Sequence, residues 1–135
     1  MSGISLENRL AIYELLAEYS HHVDNYRGEE WAALFVEGAR LECAPLEDVV
    51  APEGIIKQAR FLKKSRWEYR HSMTNVYLEP DSDDERATVN AYGLVTDWAT
   101  KPAQAALFVE YRFDLVKQDG RWKIAHERVH APYGL

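Results

Sequence analysis

The sequence predicts an α+β fold, with three N-terminal helices packed on one face of a strongly curved, mostly antiparallel sheet. Two observations carry that expectation. Residues 6–64 contain three segments with helix start and stop signals, whereas residues 69–130 contain four long runs rich in Val, Tyr and Phe. The turn material between those runs, Pro80-Asp-Ser-Asp-Asp, Lys101-Pro102 and Gln118-Asp119-Gly120, is short, which favours antiparallel neighbours.

Taken in order, Ser5 with Glu7 in the following turn marks a helix start, and the segment from Leu6 to about Asp24 contains neither Gly nor Pro. A second, short helix is expected over Glu29 to Glu37, with Trp31, Leu34 and Phe35 on one side and Gly38 as its stop. Arg40 to Ala44 alternates like a strand. Pro52 sits in a first-turn position for a third helix, Glu53 to Lys64, whose basic end Lys63-Lys64 suits the C-terminal dipole. The strand runs are Tyr69 to Glu79, Ala87 to Trp98, Ala105 to Lys117 and Trp122 to His130.

The 135 residues, 47% of them hydrophobic and with 16 aromatics, suit a single domain with one core. A balance of 22 acidic against 16 basic residues, with no basic tract, argues against a nucleic-acid or anionic membrane surface. Cys43 is the only cysteine, so no internal disulfide forms, and no Cys/His spacing resembles a zinc site. With no signal-peptide pattern and no apolar run of membrane length, a cytoplasmic protein is expected.

On the first helix, a 100° advance per residue puts Leu16, Tyr19 and Val23 within about 40° of Ile12, with Ser20, Tyr13, Asp24 and Ala17 beside them. His21 and His22 fall on the polar side with Glu7, Glu14 and Glu18. Asp24 is thus the one acid on the apolar sector, where an unpaired charge costs several kcal/mol. It either caps the turn before Gly28 or meets a polar partner elsewhere in the chain. Two-residue alternation from Tyr69 puts His71, Met73, Asn75 and Tyr77 on one strand face, which supplies a candidate partner.

The ordered set Tyr19-Ser-His-His-Val-Asp24, Trp31 and Phe35, Arg70-His71-Ser-Met-Thr-Asn75 and Trp122-Lys-Ile with Arg128 resembles the SnoaL-like branch of the nuclear transport factor 2-like superfamily. That branch includes scytalone dehydratase, bile-acid dehydratase and hexachlorocyclohexane dehydrochlorinase. The resemblance covers nearly the whole chain and implies a cone-shaped α+β barrel with a pocket at its wide end. It further implies that His71 abstracts a proton with Asp24 behind it, and that Arg128 stabilises a leaving group or oxyanion. Tyr19 is a candidate for polarising a carbonyl or hydroxyl. Scytalone dehydratase has a Tyr where Cys43 stands, and the dehydrochlorinase has a Lys where Tyr19 stands, so neither reaction transfers as it is.

A neutral imidazole removes a proton with one nitrogen while a carboxylate fixes the other, and an arginine adds permanent positive charge. Such chemistry needs no metal and no organic cofactor. Leu41, Phe61, Met73, Asn75, Tyr92, Leu94 and Phe108 are the candidate pocket lining for a small, largely apolar organic ligand. Large apolar residues on both faces of the strands Ala87 to Trp98 and Ala105 to Lys117 predict a homodimer through the sheet. Three functions stay open: a cofactor-independent lyase or isomerase, a non-catalytic small-molecule-binding protein, and an accessory subunit similar to the β chains of ring-hydroxylating dioxygenases.

Overall fold

The structure, a computed structural model, describes residues 3–65 and 68–132. It consists of α1 (Leu6–Asp24), α2 (Gly28–Ala32), β1 (Phe35–Glu42), β2 (Val49–Val50), α3 (Glu53–Lys64), β3 (Tyr69–Leu78), β4 (Arg86–Asp97), β5 (Gln104–Gln118) and β6 (Arg121–His130). The six strands form one sheet in the order β2-β1-β6-β5-β4-β3, antiparallel except for the β1–β6 pair. The sheet curls around the helices without closing. No helix among the described residues is long and apolar enough to cross a membrane.

Local chemistry accounts for the helices. The Ser5 hydroxyl caps α1 by accepting the Asn8 N–H at 3.2 Å. Ile12, Leu15, Leu16, Tyr19 and Val23 bury one face of α1, and Ile55, Ala59 and Leu62 bury one face of α3. They meet an inner sheet face built from Val89, Ala91, Phe113, Leu115 and Ile124. Gly93 lies in that layer opposite Val109, and a Cβ there would overlap Val109 and the Tyr111 ring. Its lack of a side chain is the space the tyrosine occupies.

The second helix is a correction. It ends at Ala32, and Leu34-Phe35 enters the sheet instead: the Leu34 carbonyl accepts the Ile124 N–H at 2.8 Å, and Phe35 pairs with Ile124. Gly38, expected to stop a helix, has φ +81° and lies within β1 at an irregularity in its pairing with β6. The apolar spacing that suggested a helix belongs to a strand whose inner face, Phe35 and Ala39, is buried. β1 therefore starts earlier than the alternating stretch from Arg40, and the short β2 strand pairs along it. The four long strands fall within one residue of their expected bounds.

Candidate active site

At the C-terminal end of α1, Tyr19 and Val23 share one face and Asp24 points toward β3. The Asp24 carboxylate, with its side chain only 8% exposed, accepts the His71 backbone N–H at 3.0 Å and contacts His71 Nδ1 at 2.6 Å. Two bonds from neighbouring atoms of one residue fix both the strand and the ring. A carboxylate only accepts, so Nδ1 donates to it, and in the neutral form of the ring the lone pair lies on Nε2. Among the described residues nothing bonds Nε2. Asp24 thus meets a partner across 47 residues of sequence rather than capping the next turn.

His71 lines a cavity of about 210 Å³ together with Tyr19, Trp31, Leu41, Cys43 and Tyr111, its other walls being mostly aliphatic. Typical ligand pockets run to about 300–1,000 Å³, so this one suits a small molecule. A larger groove between α1 and the β5–β6 turn, lined by Glu7, Glu14, Lys117 and Arg121, carries neither His71 nor Tyr19, and a groove between α1 and β3, lined by Ser20, His21, His71 and Met73, reaches His71 but not Tyr19.

Behind the cavity wall lies a group that the sequence reading missed. Glu127 is completely buried, and its Oε2 accepts the Tyr19 hydroxyl at 2.7 Å. Its other oxygen, Oε1, has no hydrogen-bond partner among the described residues. Burial pushes the Glu127 carboxyl up to about 8, against a smaller lowering by the Tyr19 bond. Burial, then Glu127, also raise Tyr19 well above the ordinary tyrosine value, and the Cys43 thiol is raised by the same two causes. Tyr19 is held in place by edge-on contacts with Trp31 and Phe113, ring centres 5.7 and 5.9 Å away.

Strand register explains which expected residues reach the site. Between Ile124 and His126, β6 carries one extra residue, Ala125, relative to β5. This bulge reverses the alternation, so Glu127 and Val129 face inward and Arg128 faces out. Arg128 does not line the cavity; it lies beside Glu42, Asp114 and His126 on the outer face, where His126 also pairs with Glu42. A second bulge in β3, with Asn75 at φ +53°, leaves Asn75 and Tyr77 exposed while His71 and Met73 stay inward. Met73 packs between α1 and β3 rather than along the cavity.

Of the expected lining, Leu41 reaches the cavity. Tyr92 and Phe108 are 58% and 60% exposed on the outer sheet face, where Leu94 pairs with Phe108, and Phe61 is exposed on α3. Their strands are right but their faces are reversed: the buried positions of β4 and β5 are the alternate ones, Val89, Ala91, Val95, Val109 and Tyr111.

With fold and site in view, the chain matches the SnoaL-like domain over residues 5–128. It belongs to that family. Solved structures agree in fold. A nuclear transport factor 2-like protein with a cystatin-like fold from Novosphingobium aromaticivorans superposes with a TM-score of 0.86 at 16% identity, covering 96% of this chain and 85% of its own. A Catenulispora acidiphila protein in complex with S-DNPA gives 0.83 at 19% identity, with 96% of each chain covered. A second N. aromaticivorans protein, provisionally named a scytalone dehydratase, gives 0.77 at 24% identity, covering 94% of this chain and 91% of its own. No curated protein matches. These solved structures share the fold found here.

Proposed function

We propose that this SnoaL-like protein is a cofactor-independent lyase or isomerase that removes a proton from carbon in a small, largely apolar organic substrate. The observation that carries the reading is the 2.6 Å Asp24–His71 contact on the wall of an apolar cavity. Nε2 is the base. Asp24 holds the ring in the tautomer that leaves Nε2 free, and its negative charge faces the positive charge that develops on the imidazole. Apolar walls exclude water and strengthen that electrostatic interaction. An unfilled interior also weighs against a purely structural accessory subunit, for which the cavity has no use.

Proton abstraction can be measured without knowing the natural substrate. In D₂O with 2-tetralone and related cyclic ketones, the protein is expected to exchange α-protons for deuterium faster than buffer. His71→Ala should lose about 10²–10⁴ of that rate. Exchange no faster than buffer, with ligand still bound, would move the protein to the non-catalytic binding class.

The outer sheet face supports an assembly of two copies. Tyr92 and Phe108, exposed on the outer sheet face, form with Leu94 an apolar patch that a second copy would bury. Sedimentation at micromolar concentration should give a dimer, and Phe108→Glu should give a folded monomer. A monomeric wild-type protein would remove the assembly.

A further inference from the structure

His71 accounts for the proton that leaves carbon, but a leaving oxygen needs a proton delivered to it, and Nε2 cannot give one while it is taking one. Tyr19, on α1 five residues before Asp24, also lines the cavity, and its hydroxyl donates at 2.7 Å to a carboxyl that is wholly buried. Nothing in the packing of the core calls for a carboxyl at position 127: its neighbours across the sheet are Leu41 and Phe113, and one of its oxygens has no partner among the described residues. A buried acid with one open oxygen is costly to the fold, so its presence behind a cavity hydroxyl points to use.

We propose that Glu127 and Tyr19 form a proton-delivery pair: with substrate bound, the Tyr19 hydroxyl turns its proton from Glu127 Oε2 to an oxygen of the substrate, and as that proton leaves, Glu127 passes its own carboxyl proton to the Tyr19 oxygen. This rests on the reading of the cavity as the site of proton abstraction and names the substrate class: compounds with an oxygen leaving group, or a carbonyl oxygen that becomes an enol, next to the carbon that His71 deprotonates. For a β-hydroxy carbonyl compound, His71 Nε2 takes the proton from the α-carbon, and that bond's electron pair forms the new C=C bond. The C–O bond breaks with its pair going to oxygen, which leaves as water with the Tyr19 proton. Tyr19 is restored by the Glu127 proton. The protein is left with His71 protonated and Glu127 ionised, and solvent returns the proton from one to the other.

The surroundings keep a mobile proton on the pair at neutral pH. Burial holds the Glu127 proton up to about 8, and the titratable groups that face it are Tyr19 from α1, Tyr111 from β5 and Cys43 just beyond β1, all raised by burial and so neutral in that range. Asp24 adds to the raising of Tyr111. The charged residues beside Glu127 in sequence, His126 and Arg128, face the other side of the sheet.

Two measurements on the folded full chain test the pair without turnover, so they stand or fall separately from the deuterium exchange at His71. Infrared difference spectra between wild type and Glu127→Gln at neutral pH should show the carbonyl band of a protonated carboxyl, lost in wild type as pH rises through 8. In Tyr19→Phe that band should persist to higher pH, because the hydrogen bond that favours the ionised form is gone. The second probe is 4-nitrophenol, whose colour reports its protonation. Wild type should bind the phenolate and lose affinity by about tenfold per pH unit above 8, as the proton it shares is titrated away, while Glu127→Gln shows no such break. Absence of the carboxyl band at neutral pH overturns the proposal. So does a 4-nitrophenol profile that is the same in wild type and Glu127→Gln, or no binding of that probe by wild type.

Discussion

Replacing Glu127 by Gln keeps the shape and the bond to Tyr19 but removes a proton that the fold retains, and stability against pH should report this directly. The carboxyl moves from an ordinary value of 4.5 to about 8 on folding. Between these limits the unfolded chain has lost the proton and the folded chain has kept it. Unfolding then releases a proton, so the contribution of Glu127 to stability is fully present below 4.5, declines as pH rises, and is gone above 8. At about 1.4 kcal/mol per unit, the decline amounts to roughly 3 kcal/mol by pH 7. Gln has nothing to release. The assay is urea unfolding followed by tryptophan fluorescence for both proteins at about pH 5, 6.5 and 8, where titrations shared by the two cancel in the difference. Glu127→Gln should gain on wild type by on the order of 3 kcal/mol from the lowest to the highest pH, a widening of the midpoint gap by roughly 1–3 M urea. A gap that stays constant across the range would refute the buried protonated carboxyl and the reasoning built on it.

The Asp24–His71 contact predicts coupling: a cycle of Asp24→Asn, His71→Gln and the double variant should show an interaction of about 0.5–3 kcal/mol in urea unfolding, and additivity would mean that the two do not act together. Gly93→Ala places a methyl against Tyr111 and Val109 and should lower stability by about 1–3 kcal/mol, read by thermal unfolding. Arg128→Lys should leave the deuterium-exchange rate at its wild-type level, because the guanidinium lies on the outer face with Glu42 and Asp114; a large loss there would place Arg128 in the reaction after all.

How much of this was legible in the sequence depends on the length scale of the signal. Caps and periodicity placed α1 and α3 at their observed bounds, since Ser5, the Gly- and Pro-free run and the Lys63-Lys64 end are local features. Asp24 was conspicuous because an acid on an apolar helix sector demands a partner, and His71 stood at the right place on a strand face. The strand faces beyond His71 were a different matter. Alternation carries side-chain direction along a strand only while the ladder is regular, and single-residue bulges at Asn75 and Ala125 break it. A bulge is settled by how neighbouring strands meet, so alternation puts Asn75 and Tyr77 on the wrong side, while Arg128, which the resemblance alone brings to the site, faces out beyond the Ala125 bulge. Gly38 misled for the same reason, its positive φ serving a strand irregularity instead of a helix end. Glu127 did have a signal: an acid between two basic-capable residues, His126 and Arg128, in a run whose other members are largely apolar or aromatic.

The Ala125 bulge decides the electrical character of the interior. With it, a buried acid looks into the interior and a cation looks out; a chain of this architecture without that one backbone unit would invert the two, turning a fixed positive charge toward the interior where this one turns a carboxyl. Insertion or deletion of a single residue near the end of the last strand is therefore a change of chemistry rather than of shape.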